Sequence, residues 1–476
     1  MIKIEELMTE TGVRFGTSGI RGPVDEMTDR VCFAYVSAFM QTVGQGDKKV
    51  VLGHDLRPSS PAISRACAAA IENSGATVEF AGAVPTPAIA YYALKSGIPA
   101  IMVTGSHIPF DRNGIKFYGS KGEISKTEEL EIAAAEILDP GDITKPMLNV
   151  VSAVLNTYME RYVRFFPSGF LSGQRIGLYE HSSVARDFLR ELLCRFGAEV
   201  VSLGRTDAFV PVDTEAVSEE DQNQGRFWSQ QHKLDAILST DGDADRPLIG
   251  DDQGTWLRGD IVGLLCARFL DAHTVVTPVS SNTAIEKSGW FSNVFRTRIG
   301  SPYVIEGMEN ASSAGCENVV GFEANGGFLL GTSIEMAGKS LSALPTRDAV
   351  LPMLALLALA RRQKITLSGL MAMLPRRFTA SDRIKNFSTE ISQKLLTHFA
   401  EDHKNIIDLL GSIGVGPVAT LDRTDGLRIT FASGEIVHFR PSGNAPELRC
   451  YVETDSPLRS TNLVKEALTR VSRLSM

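Results

Sequence analysis

The feature that most constrains the fold of this chain is a local pattern that recurs three times. A short apolar strand, a helix and a second apolar strand are predicted within residues 48–82, again within 175–204 and again within 273–298. The recurrences lie roughly a hundred residues apart, and alternation of strand and helix favours a parallel sheet covered by helices. We therefore predict three related α/β domains.

The first recurrence is the most regular of the three. It predicts a strand over 48–55, a helix over 61–75 that ends in a glycine, and a strand over 76–82. A further helix over about 86–96 and the apolar strand 100–103 follow. The polar residues after position 103 are therefore predicted to lie at the carboxyl end of a strand.

Each recurrence is followed by a polar loop of unusual composition. The three loops are TGSHIP (104–109), STDGDADR (239–246) and GFEANGG (321–327). Open α/β sheets bind ligands beyond the carboxyl ends of their strands. We expect these loops to carry the function.

The C-terminal part of the chain has a different character. At 476 residues the chain is too long for one compact core. The segments 426–431 and 435–440 predict a hairpin, and 459–474 predicts a terminal helix. We predict α/β domains over 1–148, 149–252 and 253–370 and an α+β domain over 371–476.

Charge and hydropathy exclude several classes of protein. The 48 basic and 56 acidic residues give a formal charge of −8, which leaves no broad basic field for nucleic acid. No apolar run reaches membrane-spanning length, and the first residues lack the pattern of a leader. We expect a cytoplasmic protein that binds neither nucleic acid nor membrane. The six scattered cysteines favour buried reduced thiols over a zinc site or disulfides.

The DGDADR segment is a candidate metal site. Asp241, Asp243 and Asp245 alternate with small residues, so in an extended segment their carboxylates would share one side. Oxygen ligands with positions left for water or phosphate suit Mg²⁺. The alternative is a solvated acidic turn, but like charges gain nothing from clustering at a strand end unless a cation is present.

The loop after residue 103 is a candidate for catalysis. It contains the hydroxyl of Ser106 and the imidazole of His107, with Lys116 downstream. A serine in such a loop is commonly a turn or cap residue. The catalytic interpretation therefore needs corroboration from elsewhere in the chain.

Three further segments carry groups that could bind a phosphorylated sugar. Arginine, hydroxyl and amide donors suit an anionic phosphate, and a carboxylate with an amide suits sugar hydroxyls. Ordinary turns are the alternative interpretation in each case. The candidate phosphate-binding residues are Arg440, Ser442, Gly443, Asn444 and Arg449 near the C-terminus and Arg14, Ser18 and Arg21 near the N-terminus, and the candidate sugar-binding residues are Glu323 and Asn325.

The order of these motifs is more informative than any one of them. TSGIRG, TGSHIP, DGDADR, GFEANGG and RPSGNAP follow one another over nearly the whole chain. This set resembles the α-D-phosphohexomutase superfamily, which includes phosphomannomutases, phosphoglucomutases and phosphoglucosamine mutases. The resemblance implies three related α/β domains and a smaller α+β domain around a central cleft.

The resemblance also implies roles for particular residues. Ser106 would carry the transferred phosphoryl group, and the three aspartates would hold Mg²⁺ beside it. Glu323 and Asn325 would contact sugar hydroxyls. The other substrate phosphate would be bound by Arg440, Ser442, Gly443 and Asn444, and the remaining candidates for substrate contact are Arg246, Arg298 and Ser301.

Some residues depart from the pattern that is frequent in the superfamily. Gly105 stands where alanine is common, Asn325 replaces a serine, and Asn444 replaces a threonine. Ser301 occupies a position where relatives often carry a residue that helps to distinguish substrates. These departures leave the preferred hexose open.

The expected activity is interconversion of hexose 1-phosphate and hexose 6-phosphate through a bisphosphate, with hexose 1,6-bisphosphate as activator. We expect a phosphomannomutase, because the Gln-Ser pair of glucosamine-specific enzymes is absent; phosphoglucomutase and phosphoglucosamine mutase are the alternatives. Lys116 and His107 are candidates for proton transfer, and Arg21 for positioning. A phosphosugar phosphatase and a silent sugar-phosphate sensor are rival functions. The protein is expected to be a monomer or homodimer.

Overall fold

In the computed structural model, which describes residues 1–16, 18–442 and 446–474, the N-terminal region is built on a seven-stranded sheet. The strands of this region are β1 (Ile2–Lys3), β2 (Arg14–Phe15), β3 (Ile20–Pro23), β4 (Lys49–His54), β5 (Thr77–Ala83), β6 (Ala100–Val103), β7 (Arg112–Gly119), β8 (Gly122–Glu123) and β9 (Glu136–Ile137). Its helices are α1 (Ile4–Thr11), α2 (Asp29–Gln41), α3 (Ser60–Asn73), α4 (Thr86–Ser96) and α5 (Lys126–Ala133), with a 3₁₀ turn at Val24–Glu26.

The sheet confirms the predicted strand and helix order. β4 pairs in parallel with β5 and β6, and β7 and β3 extend the sheet antiparallel. The core cluster joins Leu52 and Ile101 of the sheet to Phe39 of α2 and Ile63 of α3, which is the burial that a parallel sheet requires. Gly97, with a left-handed φ of 64°, ends α4.

The next region repeats the arrangement on a smaller scale. Its strands are β10 (Arg175–Tyr179), β11 (Glu199–Leu203), β12 (Ala236–Thr240) and β13 (Pro247–Gly250), in the order β11-β10-β12-β13 with only β13 antiparallel. Its helices are α6 (Ala153–Phe165), α7 (Arg186–Arg195), α8 (Glu219–His232) and α9 (Gly259–Phe269).

The third region contains the last of the predicted recurrences. Its strands are β14 (Thr274–Pro278), β15 (Asn293–Thr297), β16 (Val319–Phe322), β17 (Phe328–Leu330), β18 (Ile334–Met336), β19 (Lys339–Leu341) and β20 (Leu344–Asp348). The helices are α10 (Ala284–Lys287), α11 (Ser301–Ser313), α12 (Val350–Gln363) and α13 (Leu367–Ala372). β14 and β15 are parallel, whereas β17 pairs antiparallel with β16 and β20.

The C-terminal region is an α+β structure, as predicted. Its strands are β21 (Phe378–Lys385), β22 (Val418–Asp422), β23 (Leu427–Phe431), β24 (Ile436–Pro441) and β25 (Glu447–Thr454), in the antiparallel order β21-β25-β24-β23-β22. The helices are α14 (Thr389–Glu401), α15 (His403–Leu410) and α16 (Pro457–Leu474), with a 3₁₀ turn at Gly411–Ile413. The predicted hairpin is β23–β24.

The described chain divides into two compact units. The first contains Met1–Ala272 and Met308–Ala372, and the second contains His273–Gly307 and the described residues from Met373 onwards. The four predicted domains are a finer division, and their boundaries stay predictions. Within the described residues, no helix is long and apolar enough to cross a bilayer.

The cysteines need one correction. Cys32, Cys67, Cys266 and Cys450 are buried free thiols as expected, but Cys194 is exposed and Cys316 is partly exposed. Cys194 lies near the C-terminal end of the amphipathic helix α7, on the face that is turned to solvent.

Candidate active site

Ser106 lies in a loop that begins where β6 ends; residues 104–112 are called the Ser106 loop below. The side chain is buried, and its φ of 52° lies in the left-handed region, which a non-glycine residue adopts only where its surroundings hold it. Oγ donates a hydrogen bond to Asp241 Oδ2 at 2.7 Å and lies 3.3 Å from Nδ1 of His107. The loop thus presents its hydroxyl to the acidic segment.

The Ser106 loop is held by Arg57, a residue that the sequence analysis did not select. Asp55 supplies the countercharge, with 3.3 Å between its Oδ2 and Arg57 Nε. One planar guanidinium thereby organises the backbone around Ser106. The buried guanidinium donates hydrogen bonds of 2.6 to 2.9 Å to four loop carbonyls, those of Ser106, Ile108, Pro109 and Arg112.

Thr104 and Gly105 complete this support. Thr104 Oγ1 donates to Asp55 Oδ2 at 2.7 Å and accepts from the N–H of Ser106 at 2.8 Å. A Cβ at position 105 would lie 2.5 Å from the guanidinium carbon of Arg57, closer than two carbon atoms can approach. The glycine that replaces the common alanine therefore makes room for Arg57.

The acidic loop, residues 241–246, brings its carboxylates together in a way that the sequence analysis described wrongly. The segment is a turn rather than an extended strand: Asp241 N–H donates to the carbonyl of Arg246, and Ala244 N–H donates to the carbonyl of Asp241. Ala244 has a φ of 58°. Ligand oxygens of Asp241, Asp243 and Asp245 nevertheless lie within 4.8 Å of one another, because the chain folds back on itself at this strand end.

Cationic and hydroxyl groups from distant segments surround the acidic loop. Lys116 Nζ lies 2.7 Å from Asp243 Oδ2 and 2.6 Å from Asp245 Oδ2. Arg347 Nη2 lies 2.9 Å from Asp245 Oδ2. Thr86, the first residue of α4, donates its hydroxyl to Asp243 Oδ2 at 2.6 Å and its N–H to the Asp243 carbonyl at 3.0 Å. The cluster is buried but strongly braced.

These neighbours separate the acidities of the aspartates. Burial alone would raise the pKa of Asp245, but the charges of Arg347, Lys116 and Arg246 outweigh burial and hold that pKa below its usual range. Burial and the two neighbouring carboxylates raise the pKa of Asp241 well above its usual value. A bound cation would relieve this repulsion.

The acidic loop fits a metal ion on the evidence of its unused oxygens. Oδ1 of Asp243 and Oδ1 of Asp245 are buried and have no hydrogen-bond partner among the described residues, a costly condition for a carboxylate oxygen. Hard divalent cations take such oxygens as ligands. The three aspartates can therefore hold a metal ion, and the Ser106 hydroxyl lies beside them.

Three arginines, Arg21, Arg246 and Arg347, lie close enough to the cluster and to one another for their charges to interact. Burial, together with the charges of Arg246 and Arg347, lowers the pKa of Arg21 to about 10, which reflects how closely the guanidiniums approach. Arg246 Nη1 lies 3.0 Å from Nδ1 of His107. The Arg246 charge, with burial and Arg21, lowers the pKa of His107 to about 2. This group of guanidiniums offers donors that suit an anion.

The GFEANGG loop connects to the acidic loop through Arg347. Glu323 is buried, and its Oε2 lies 3.7 Å from Arg347 Nη1 and has no hydrogen-bond partner among the described residues. Asn325 Oδ1 accepts from the N–H of Gly327 at 2.9 Å, and its carbonyl accepts from Thr214 Oγ1 at 2.7 Å. Hydrogen bonds therefore hold the loop in place, and Glu323 Oε2 is left to bind another ligand.

The N-terminal candidates are only partly brought into this site. Arg21 on β3 joins the arginine group described above. Ser18 is buried, but its hydroxyl donates to Glu123. Arg14 is exposed, and its link to Arg21 is that the two residues lie opposite each other in the antiparallel β2–β3 pair.

The second unit contains the other predicted phosphate-binding residues. Asp425 joins two of the predicted segments, because its Oδ1 accepts from Arg440 Nε at 2.9 Å and its Oδ2 accepts from the N–H of Ile299 at 2.9 Å. Arg298 Nε donates to the carbonyl of Thr424 at 3.3 Å. Arg298 and Arg440 therefore belong to one cluster within this unit.

Its remaining described candidates lie on α11, directly after β24 and on β25. Ser301 begins α11 and is fully buried. The N–H of Ser442 donates to the carbonyl of Glu447 at 2.8 Å, and Arg449 lies opposite Arg440 in the β24–β25 register. Two predicted residues lie outside the described part of the chain, namely Gly443 and Asn444.

Sequence reasoning missed Arg57, Arg347 and Thr86. The segment HDLRP follows β4 just as TGSHIP follows β6, and PTRD ends β20. Charged residues that directly follow a buried strand were a usable signal in both cases. Nothing in the sequence around Thr86 distinguishes it from an ordinary helix start.

A buried hydroxyl beside a carboxylate cluster that can hold a cation, with three guanidiniums around it on an α/β scaffold, provides the groups that phosphoryl transfer requires. The chain belongs to the phosphoglucomutase/phosphomannomutase family. Residues 12–137 match its alpha/beta/alpha domain I, 258–378 match its alpha/beta/alpha domain III and 389–470 match its C-terminal domain. The resemblance inferred from the motif order is confirmed.

Individual relatives agree with this assignment. A phosphomannomutase of Salmonella muenchen is 45% identical over 98% of this chain and 97% of its own length. A phosphomannomutase of Sinorhizobium fredii is 45% identical over 96% of this chain and 98% of its own. A phosphoglucosamine mutase of Thermodesulfovibrio yellowstonii is 26% identical over 95% of this chain and 97% of its own.

Solved structures share the fold. The putative phosphomannomutase of Thermus thermophilus superposes with a TM-score of 0.76, at 21% identity, over 97% of this chain and 99% of that one. The mixed α/β fold predicted from the sequence is thereby confirmed.

Proposed function

We propose that this protein is a phosphomannomutase that interconverts mannose 6-phosphate and mannose 1-phosphate through a phosphoserine at Ser106. The observation that carries the proposal is the hydrogen bond from Ser106 Oγ to Asp241, inside a carboxylate cluster with two unused oxygens. The mannose assignment rests on relatives, since two phosphomannomutases are 45% identical and the phosphoglucosamine mutase only 26%.

The proposed cofactor is Mg²⁺, held by Ser106, Asp241, Asp243 and Asp245. When bound, it neutralises charge on the transferred phosphoryl group. Arg347 and Lys116 hold the pKa of Asp245 below its usual range, and the ion pairs of Lys116 with Asp243 and Asp245 keep these two carboxylates in position. Arg21 and Arg246 supply positive charge for the equatorial oxygens.

His107 and Lys116 are the two side chains considered for a part in proton transfer at the sugar hydroxyl. His107 is held neutral beside Arg246, with its pKa lowered to about 2 chiefly by that charge, so its ring is an acceptor. Lys116 is an ammonium donor between two carboxylates. We propose Lys116 as the proton-handling residue. His107, too weak a base to take up a proton near neutral pH, is proposed to orient the Ser106 hydroxyl.

Substrate binding is divided among the remaining predicted residues. Glu323 and Asn325 are proposed to bind sugar hydroxyls, and Ser301 to bear on the choice of hexose. The proposed phosphate contacts are Arg14, Ser18, Arg298, Arg440, Ser442, Gly443, Asn444 and Arg449.

Hexose 1,6-bisphosphate is the proposed activator, because the first turnover needs a phosphorylated serine and a bisphosphate can supply that group. Both steps transfer one phosphoryl group between Ser106 and a sugar oxygen, so no net phosphate is released. The monomeric or homodimeric state and the cytoplasmic location stay predictions.

The test is ³¹P NMR of the protein with Mg²⁺, catalytic glucose 1,6-bisphosphate and, in separate samples, mannose 1-phosphate, glucose 1-phosphate and glucosamine 1-phosphate. Fastest conversion of the mannose ester to its 6-phosphate, lost in Ser106→Ala, supports the proposal. Faster conversion of glucose 1-phosphate or glucosamine 1-phosphate would overturn the mannose assignment. Release of inorganic phosphate alone would indicate a phosphatase, and no turnover would indicate a sugar-phosphate sensor.

A further inference from the structure

A second polar cavity lies within the first unit, away from the acidic loop. Its volume is about 520 Å³, which falls within the range of small-molecule sites. Side chains from α4, α6 and the β19–β20 segment line it. We call it the Arg161 cavity, after the residue that is most unusual in its wall.

Arg161 is a buried cation whose hydrogen-bonding capacity is largely unused. Only 5% of the residue is exposed. Its Nη1 donates to the carbonyl of Ser342 at 2.8 Å, and its guanidinium carbon lies 4.6 Å from the centre of the Tyr91 ring. Nε and Nη2 have no hydrogen-bond partner among the described residues. A buried N–H of a charged group is costly to leave unpaired.

Arg161 forms no ion pair with a carboxylate within the described part of the chain. Burial alone would lower the pKa of Arg161, but Tyr162 and the charge of Asp348 raise it. The two oxygens of Asp348 accept the hydroxyls of Tyr158 and Tyr162. Glu160 supplies the single carboxylate among the described residues that line the cavity. Its Oε2 accepts a hydrogen bond from Arg164 Nε at 3.0 Å. The positive charge of Arg161 is therefore balanced by Asp348 at longer range, without a direct ion pair among the described residues.

Other lining groups add to this character. Lys95 and Arg164 contribute two more cations, so that positive charges outnumber the single negative one in a chain whose formal charge is −8. Asn156, Thr157 and Ser340 contribute amide and hydroxyl groups. A ligand with an anionic group beside Arg161 and hydroxyl groups beside the polar side chains would give these lining groups hydrogen-bond partners.

We propose that the Arg161 cavity is a binding site for a small hydroxylated organic phosphate, with its phosphate against Arg161 and Lys95. Arginine and lysine bind phosphate through charge-assisted hydrogen bonds. The volume accommodates a molecule of roughly metabolite size.

This site is distinct from the proposed catalytic one. Thr86, at the start of α4, binds Asp243 of the acidic loop, whereas Lys95, near its end, lines the cavity. A helical rise of 1.5 Å per residue puts these two backbone positions roughly 14 Å apart. A phosphate in the cavity therefore does not occupy the place of the phosphoryl group on Ser106.

The first test locates the anion directly. Crystals of the protein are soaked in sodium selenate, a tetrahedral dianion with an anomalous signal. The expected result is a peak in the cavity within hydrogen-bonding distance of the Arg161 guanidinium. A wild-type crystal with selenate elsewhere and none at Arg161 overturns the proposal.

The second test measures binding in solution, by calorimetric titration of inorganic phosphate into the Mg²⁺-loaded protein. Arg161→Met is expected to abolish one phosphate site. Because that variant removes a buried group and could misfold, Lys95→Gln/Arg164→Gln, which changes only exposed side chains, is measured as well. Loss of one charge-assisted contact is expected to weaken this site on the order of tenfold.

Arg195→Gln is the matched control. Arg195 pairs with Glu191 on α7 with the same spacing that Arg164 and Glu160 show on α6, but it does not line the cavity. It should leave phosphate binding unchanged. If wild type, Lys95→Gln/Arg164→Gln and Arg195→Gln give the same isotherm, or if selenate binds only at crystal-soaking concentrations, the cavity is a solvent-filled packing gap and the proposal fails.

Discussion

The acidic loop and the Arg161 cavity are both buried, polar and strongly charged, yet they carry opposite signs. In the acidic loop two carboxylate oxygens, on Asp243 and Asp245, lack hydrogen-bond partners among the described residues, as does Nε of Arg246, which lies 3.6 Å from Asp245 Oδ1. In the cavity the atoms without such partners are guanidinium nitrogens, on Arg161. Burial makes both expensive to leave unpaired. Unpaired carboxylate oxygens beside one another favour a cation, whereas unpaired guanidinium nitrogens beside further cations favour an anion.

The two regions also differ in how firmly they are held. Asp243 receives bonds from Thr86 and Lys116, and Ser106 is supported by Arg57. In the cavity, the guanidinium of Arg161 donates to the carbonyl of Ser342. Preorganisation of the degree seen at the acidic loop suits a site where chemistry depends on position, whereas the cavity is suited to binding alone.

The largest expected effect separates chemistry from binding. Ser106→Ala removes the proposed phosphoryl acceptor and should lower the mutase rate by about 10⁴-fold or more. It should leave phosphate binding at the Arg161 cavity unchanged. The measurements are ³¹P NMR turnover and phosphate titration. Ser74→Ala, at an exposed helix end, is the control and should keep full activity.

If Ser106→Ala retained mutase activity near the wild-type rate, the acidic loop would not be the site of phosphoryl transfer. The acidic loop could then no longer be contrasted, as a catalytic region, with the Arg161 cavity as a binding region.

The next effect tests the sign argument on the acidic loop. Asp243→Asn keeps the shape of the side chain but removes one charge, so the affinity for Mn²⁺, used as a paramagnetic substitute, should fall at least about 100-fold. Electron paramagnetic resonance titration measures it. Asp207→Asn changes an exposed carboxylate and should have no effect. Unchanged Mn²⁺ binding in Asp243→Asn would exclude this loop as the metal site.

A third prediction concerns the bracing of the Ser106 loop. Arg57→Met leaves Asp55 uncompensated and four loop carbonyls without their donor, and should lower the free energy of unfolding by about 3–5 kcal/mol. Urea unfolding followed by circular dichroism measures this change. Arg57→Lys keeps the charge but loses the planar donor set, so an intermediate loss is expected. Equal stability of all three proteins would show that Arg57 is dispensable.

A smaller effect is expected from the contact between Gly105 and Arg57. Gly105→Ala places a methyl group 2.5 Å from the Arg57 guanidinium carbon and should cost about 1–3 kcal/mol of stability. In Arg57→Met the clash is relieved by the flexible side chain, so the two changes should not be additive. Strict additivity in a double-mutant cycle would contradict the proposed close packing.

The smallest effect is expected at the rim of the cavity. Arg164→Gln breaks an exposed pair with Glu160, which contributes roughly 0.3–0.5 kcal/mol, and should leave the mutase rate without added phosphate within about twofold. Arg195→Gln should show the same small loss of stability as Arg164→Gln and the same mutase rate. A large loss of activity in Arg164→Gln alone would place the cavity inside the catalytic machinery.

Much of the local structure was predictable from the sequence. The predicted helix over 86–96 and strand over 100–103 are observed with those bounds, and the C-terminal hairpin is observed as β23–β24. Such elements follow from hydrophobic periodicity and from glycine at helix ends, which are properties of neighbouring residues. The three polar loops could be placed at strand ends for the same reason.

The sequence by itself determined which segments carry hydroxyl, carboxylate and guanidinium groups and that their order resembles that of one superfamily. Only the tertiary structure decided how they meet: the acidic loop turns back instead of extending, and Lys116 and Thr86 reach Asp243 from more than a hundred residues away. Arg57, Arg347 and the Arg161 cavity also emerged only there. Such contacts depend on how whole sheets and helices pack, and no local pattern along the chain records that packing.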